Sequence, residues 1–173
     1  MKNKINVEAW KDFPLSELFT ADNTGNVLAR DVEDGSGNVP FVTASGVNNG
    51  VSAYIDPKDY KVMPANCILV GGKTFTLTYQ ANKFVSNDSH NFVLVAKDNL
   101  VKKNQYLFLI SVIRATFEQR YTWNDAVTKQ KMLEEKIKLP VDDKGEPDWD
   151  YMEQYIIELQ TTTREKINLL NSI

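Results

Sequence analysis

A chain of 173 residues, 42% apolar and 25% charged with a formal charge of −3, has the size and balance of one globular domain. One cysteine, Cys67, and one histidine, His90, exclude a disulfide framework and any zinc site built from several thiolates or imidazoles. No apolar run nears the ~20 residues of a bilayer span, and MKNKINVEAWKDF lacks an apolar signal region, so no membrane partner is expected and cytoplasmic is the expected location.

The opening stretch gathers Trp10, Phe13, Leu15, Leu18 and Phe19, with Ser16 able to cap a short helical turn. Residues 22–38 are polar with three glycines and predict a long surface loop. From residue 39 the pattern is β. VPFVTA predicts a strand, SGVNNG a turn that tolerates positive φ, and VSAYI its partner strand. CILVGG is a short apolar run closed by a glycine pair. KTFTLTYQ sets Thr74, Thr76 and Thr78 against Phe75, Leu77 and Tyr79, the alternation of a strand with one buried face. NKFVSNDSHN is polar apart from Phe84 and Val85, and NFVLVA predicts a further strand.

The pattern turns helical at Asn104, an N-cap for a helix to about Tyr121 with Leu107, Ile110, Ile113, Arg114 and Phe117 on one side. A polar segment, TWNDAVTKQK, precedes a short apolar element at residues 136–139, and Pro140 with DDKGEPD breaks the chain. The last element is the longest. Asp148 or Asp150 can cap it, and Asp150 with Glu153 fits a capping box. Strict 3-4 spacing reads Trp149, Met152, Ile156, Leu159, Thr163, Lys166, Leu170 and Ile173, a seam that asks for a partner helix.

Charge is unevenly spread. Residues 1–57 hold four Lys/Arg and eight Asp/Glu, residues 58–138 thirteen and seven, and residues 139–173 three and eight. A basic middle matters for phosphate partners, which respond to the local field.

The inventory contains no catalytic centre. There is no glycine-rich adenosylmethionine loop and no Asn/Asp-Pro-Pro-aromatic motif, and Gly71-Gly72 opens onto a strand rather than a helix. Asp125, Glu134 and Lys136 imitate nuclease spacing only as a chain this rich in charge does by chance. His90 beside Ser89 and Asp88 reads as a loop histidine making a surface hydrogen bond, because sequence neighbours rarely assemble a nucleophile, base and orienting group. Cys67 opens an apolar strand and reads as a small core residue. No cofactor or metal is implied.

WKDFPLSELF, FVTASGVNNGVSAYI, the glycine pair with its alternating strand, YLFLISVI, and above all KIKLPVDDKGEPDWDYMEQYIIEL resemble the target recognition domains of Type I restriction–modification specificity subunits. They look equally like the specificity regions of related single-chain restriction–methylation enzymes. The resemblance covers essentially the whole chain. It implies a β-rich domain that reads one half of a bipartite DNA site, and a long spacer helix. Methyl transfer and cleavage belong to other subunits. A complete subunit of that family holds two such domains and two helices, whereas this sequence holds one of each. A half-subunit that dimerises, or a fragment of a longer chain, is expected. The implied partners are double-stranded DNA, a methyltransferase subunit, and a second copy or half-subunit, with a restriction subunit as a further candidate.

The expected fold is therefore α+β, a DNA-recognition domain at residues 1–147 followed by a spacer helix at 148–173. Base readout needs donors and acceptors on rigid tips. Candidates are Ser45, Asn48 and Asn49; Lys73, Thr74 and Thr76; Asn87, Ser89 and His90; and Thr122, Trp123, Lys129, Gln130 and Lys131. Arg30, Lys58, Lys61, Lys83, Lys102 and Lys103 are phosphate candidates, which position without reading sequence. Two other functions remain open: an adaptor or decoy that pairs with other subunits without reading DNA, and a small hydrolase built around His90.

Overall fold

The computed structural model describes residues 7–98, 101–121 and 125–172, so the candidates Thr122, Trp123 and Ile173 lie outside the described residues. In chain order the elements are β1 (Lys11–Pro14), α1 (Leu15–Leu18), β2 (Phe19–Asn23), β3 (Val39–Val42), β4 (Val51–Ile55), β5 (Val62–Met63), β6 (Cys67–Val70), β7 (Leu77–Gln80), β8 (Phe84–Ser86), β9 (Phe92–Ala96), α2 (Lys103–Phe117), α3 (Lys129–Glu134), β10 (Lys136–Leu139) and α4 (Trp149–Leu170). This is the expected α+β arrangement with a long final helix.

Three sheets organise them. The central one, ordered β2-β9-β6-β7, is antiparallel throughout. The outer one, β4-β3-β8-β5, is mixed, with β3 and β8 parallel. A two-stranded ribbon joins β1 to β10. Period-2 alternation sets the layers. Ile68, Val70, Phe92, Leu94 and Ala96 enter the core formed with α2, while Cys67, Leu69 and Val93 pack with Val42, Met63 and Phe84 of the outer sheet. Both faces of β6 are thus covered, which explains its unbroken apolar run. The far face of the outer sheet offers Phe41, Ala53, Ile55 and Val85 to Val27.

Several expectations need correction. Asp22 and Asn23 complete β2, and the loop after them carries the buried Val27, so it covers a core as well as a surface. The strand expected from residue 73 starts at Leu77. Residues 71–76 form a tight turn, with Phe75 N donating to Gly71 O, Gly71 N to Thr76 O, and Phe75 at φ 50°. Thr78 and Gln80 are buried, because residues 43–50 lie along this strand: Gln80 Nε2 donates to Asn49 O at 3.1 Å and to Thr78 Oγ1 at 2.9 Å. The polar 82–91 segment conceals β8, three fully buried residues. Helix α2 begins at Lys103, with Lys102 N bonded to Gln105 Oε1 at 2.9 Å, and ends at Phe117, short of Tyr121. Ser16 lies inside α1, where Pro14 holds the cap position. Asp148, not Asp150, caps α4, its Oδ1 accepting from Tyr151 N at 2.9 Å.

The helical seam divides. Met152 and Ile156 belong to the domain's own core and Trp149 packs against it, so these three are not open to a partner helix. The reason is local: Phe108 of α2 supplies the neighbouring apolar surface, meeting Tyr155 edge-on with centroids 5.7 Å apart. From Ile157 onward the described residues of α4 are exposed, with Leu159 at 38% and Leu170 at 70%.

Candidate nucleic-acid interface

Strand register decides which loops meet. In the central sheet Asn23, Phe92, Val70 and Leu77 share one end. In the outer sheet Val42, Val51 and Ser86 share one end. The segments leaving these ends are bonded to one another. Thr24 N donates to Asn91 O at 3.0 Å, Thr24 Oγ1 to Asp88 O at 2.6 Å, and Asn23 Nδ2 to Ser89 O at 3.1 Å. Thr74 and Thr76 hydroxyls contact each other at 2.7 Å and both reach Ala44 O. Val127 N donates to Gly72 O at 2.9 Å, which docks the segment before α3 onto the glycine pair. A Cβ on Gly72 would collide with His90 O, so glycine is required there by close backbone approach.

Cations stand on this loop end in ion pairs. Lys61 Nζ contacts Asp22 Oδ2 at 2.7 Å and donates to Asn23 O, Lys73 Nζ contacts Asp88 Oδ2 at 3.0 Å, and Lys131 Nζ contacts Asp125 Oδ1 at 2.9 Å. The hydrogen bond from Lys61 is the main reason that the Asp22 carboxyl lies below its usual range, with the charges of Lys61 and Lys129 helping against desolvation. Lys129 is thus close to β2. Such surface pairs hold ~0–1 kcal/mol each, so a phosphate can replace a carboxylate at little cost. His90 Nδ1 lies 2.7 Å from Asp88 Oδ1, the surface contact expected of a loop histidine.

The structure therefore brings together Lys61, Lys73, Thr74, Thr76, Ser89, His90 and Lys129, with the 43–50 loop beside them. Asn48 and Asn49 adopt left-handed φ of 49° and 53°, as the turn demands. Their side-chain donors are committed, Asn48 Nδ2 to Val51 O and Asn49 Nδ2 to Tyr79 O, so both serve the scaffold before any ligand. Ser45 Oγ accepts from Val47 N, and Asn87 Oδ1 accepts from Asn91 Nδ2. Gln130 and Lys131 are exposed on α3.

Other phosphate candidates stand apart. Lys83 precedes Phe84, whereas the loop end follows Ser86 at the opposite end of β8. Lys102 shares a cleft with Asp98, Asp142, Asp148, Asp150 and Glu153, a field that repels phosphate. Lys103 lines a hollow with Leu107 and Arg114 that Asn49 of the 43–50 loop also borders. Arg30 sits on the 24–38 loop, 3.9 Å from Asp31, and Lys58 in the turn after β4. Asn23, Thr24 and Asp88, which are not among the sequence candidates, bind the loops into one unit; a carboxylate falls outside the lysine, amide and hydroxyl types expected to read bases. Among the described residues no group of three His, Cys, Asp or Glu side chains could hold a metal, and no helix is long and apolar enough to cross a membrane.

The family model for the Type I restriction modification DNA specificity domain matches residues 7–171. The chain belongs to that family. A relative of this specificity domain is the specificity subunit of the Type II restriction enzyme BcgI from Heyndrickxia coagulans, 23% identical over 160 residues, covering 88% of this chain and 44% of that subunit. Among solved structures it is similar to the HsdS subunit from Thermoanaerobacter tengcongensis, with TM-score 0.63, 12% identity, and coverage of 99% of this chain and 41% of that one. It is also similar to the Type I S subunit from M. genitalium, with TM-score 0.61, 10% identity, and coverage of 95% and 42%. These structures share the specificity domain's fold. The chain spans less than half the length of each.

Proposed function

We propose that this specificity domain reads one half of a bipartite duplex DNA site for a restriction–modification system, without catalysing methyl transfer or cleavage itself. The observation that carries the reading is the convergence of four loop segments, around residues 44, 72, 89 and 127, on one end of two stacked sheets, with Lys61, Lys73, Lys129 and His90 among them. Rigid tips bearing lysines, hydroxyls and an imidazole suit a mixture of phosphate and base-edge contacts.

Selection of bound sequences from random duplexes, followed by affinity measurements at rising salt, tests this. A discrete half-site is expected, with log K falling by ~0.9 per decade of salt for each phosphate neutralised. Retention of the same weak affinity for every duplex would sink the reading.

The exposed half of α4 favours a second element of the proposal. Ile157, Leu159, Ile167, Leu169 and Leu170 stand on a helix with no covering layer among the described residues. They would dock a second copy or half-subunit, and methyltransferase or restriction subunits beyond it. An adaptor that uses only this helix is the alternative, and it predicts association that persists when the lysine-bearing loops are neutralised.

A further inference from the structure

Asp88 is an acid on the face assigned above to a polyanion, and its bonds explain its presence. Oδ2 accepts from Lys73 Nζ at 3.0 Å. Oδ1 accepts from His90 N at 2.8 Å and lies 2.7 Å from His90 Nδ1. Its backbone oxygen accepts from Thr24 Oγ1 and from Asn91 N, so the residue is braced from three segments. Burial pushes the Asp88 carboxyl up, but the bonds from His90 and Lys73 outweigh it and hold the pKa at about 2.

An ionised carboxylate can only accept hydrogen bonds. The proton in the 2.7 Å contact therefore belongs to His90 Nδ1, and in the neutral form of the ring this leaves the lone pair on Nε2. The His90 side chain is 60% exposed, and Nε2 has no hydrogen-bond partner among the described residues. An acceptor held outward on a braced loop selects for donors. In the major groove adenine N6 and cytosine N4 carry amino donors, whereas guanine and thymine present acceptors from O6, N7 and O4.

We propose that Asp88 is a positioning residue that sets the tautomer of His90, and that His90 Nε2 reads the exocyclic amino group of an adenine or cytosine in the major groove. The proposal rests on the reading of the loop end as a DNA-recognition surface. Lys73, held by the same carboxylate, supplies charge rather than discrimination.

Selection from random duplexes with the full wild-type chain, H90A and D88N tests it, with K73A for comparison. His90 is exposed, so H90A leaves the fold intact, and D88N carries an amide that can donate as well as accept and so no longer dictates the ring's proton. Wild type is expected to demand one base pair at a position that both variants read indifferently while keeping their other positions. K73A is expected to weaken all duplexes alike. Placing purine, which lacks the N6 amino group, at an adenine-selected position should weaken wild type roughly tenfold and leave H90A unchanged; at a cytosine-selected position, a pyrimidinone lacking the N4 amino group serves the same purpose. An H90A site identical to the wild-type site would overturn the proposal while leaving the proposed function standing, as would undiminished wild-type affinity when the amino group is removed at the His90-dependent base pair. Failure of wild type to select any sequence overturns both.

Discussion

Gly72 and Asp88 do at the level of single residues what a larger protein does with a layer of structure: they hold loops in register. Gly72 lets the glycine-pair turn press against His90 O and Val127 O. The change Gly72→Ala should force those backbones apart and cost ~1–3 kcal/mol, as overpacking does. Thermal denaturation should register that loss, and duplex affinity should fall with it. Asp88 makes a pH signature. Its folded pKa of about 2 lies below the ordinary 3.8, so its stabilisation is complete above the ordinary value and is lost as pH falls from about 4 towards 2. Melting temperature should fall across that window, and D88N should flatten part of the decline. The remainder belongs to carboxyls such as Glu135, where burial acts upward but bonds from Arg120 and Tyr121 lower the pKa overall.

The fourteen helices and strands differ in how openly the sequence announces them. At Cys67–Val70 and Phe92–Ala96 the side chains alone declare a buried strand, and the pairing of β3 with β4 follows from its Asn-Asn-Gly turn. At Thr78 and Gln80 they mislead, because their polarity is satisfied by residues 43–50, far off in sequence. Phe84–Ser86 is too short for alternation to register against its polar flanks. The candidate site was legible in the same measure. Lys73, Ser89 and His90 could be chosen because they sit on recognisable turns, but Lys83 and Lys102 could not be set aside without strand direction and the acidic cleft. Helix α4 shows both regimes along one element. Met152 is fully buried, so Met152→Ala should cost about 2–5 kcal/mol in denaturant unfolding. Leu170→Asp, at a 70% exposed position, should change domain stability by less than ~0.5 kcal/mol and show itself in partner association, measured by sedimentation.

For the molecule as a whole, the two halves of α4 separate folding from assembly. A chain ending at residue 159 keeps Met152 and Ile156 in the core. It should melt with the full chain and keep its duplex affinity per domain, while losing association through the helix. Light scattering and duplex titration on the same sample check both. The β1–β10 ribbon sets a different constraint. Lys11 pairs with Leu139 and Pro14 with Lys136, so among the described residues the partner of β1 is made only when β10 has been synthesised. During synthesis at ~5–20 residues per second β1 waits several seconds for β10 with its hydrogen-bonding edge uncovered. Early contact with another emerging copy would find that edge open, and completion of the tenth strand closes it.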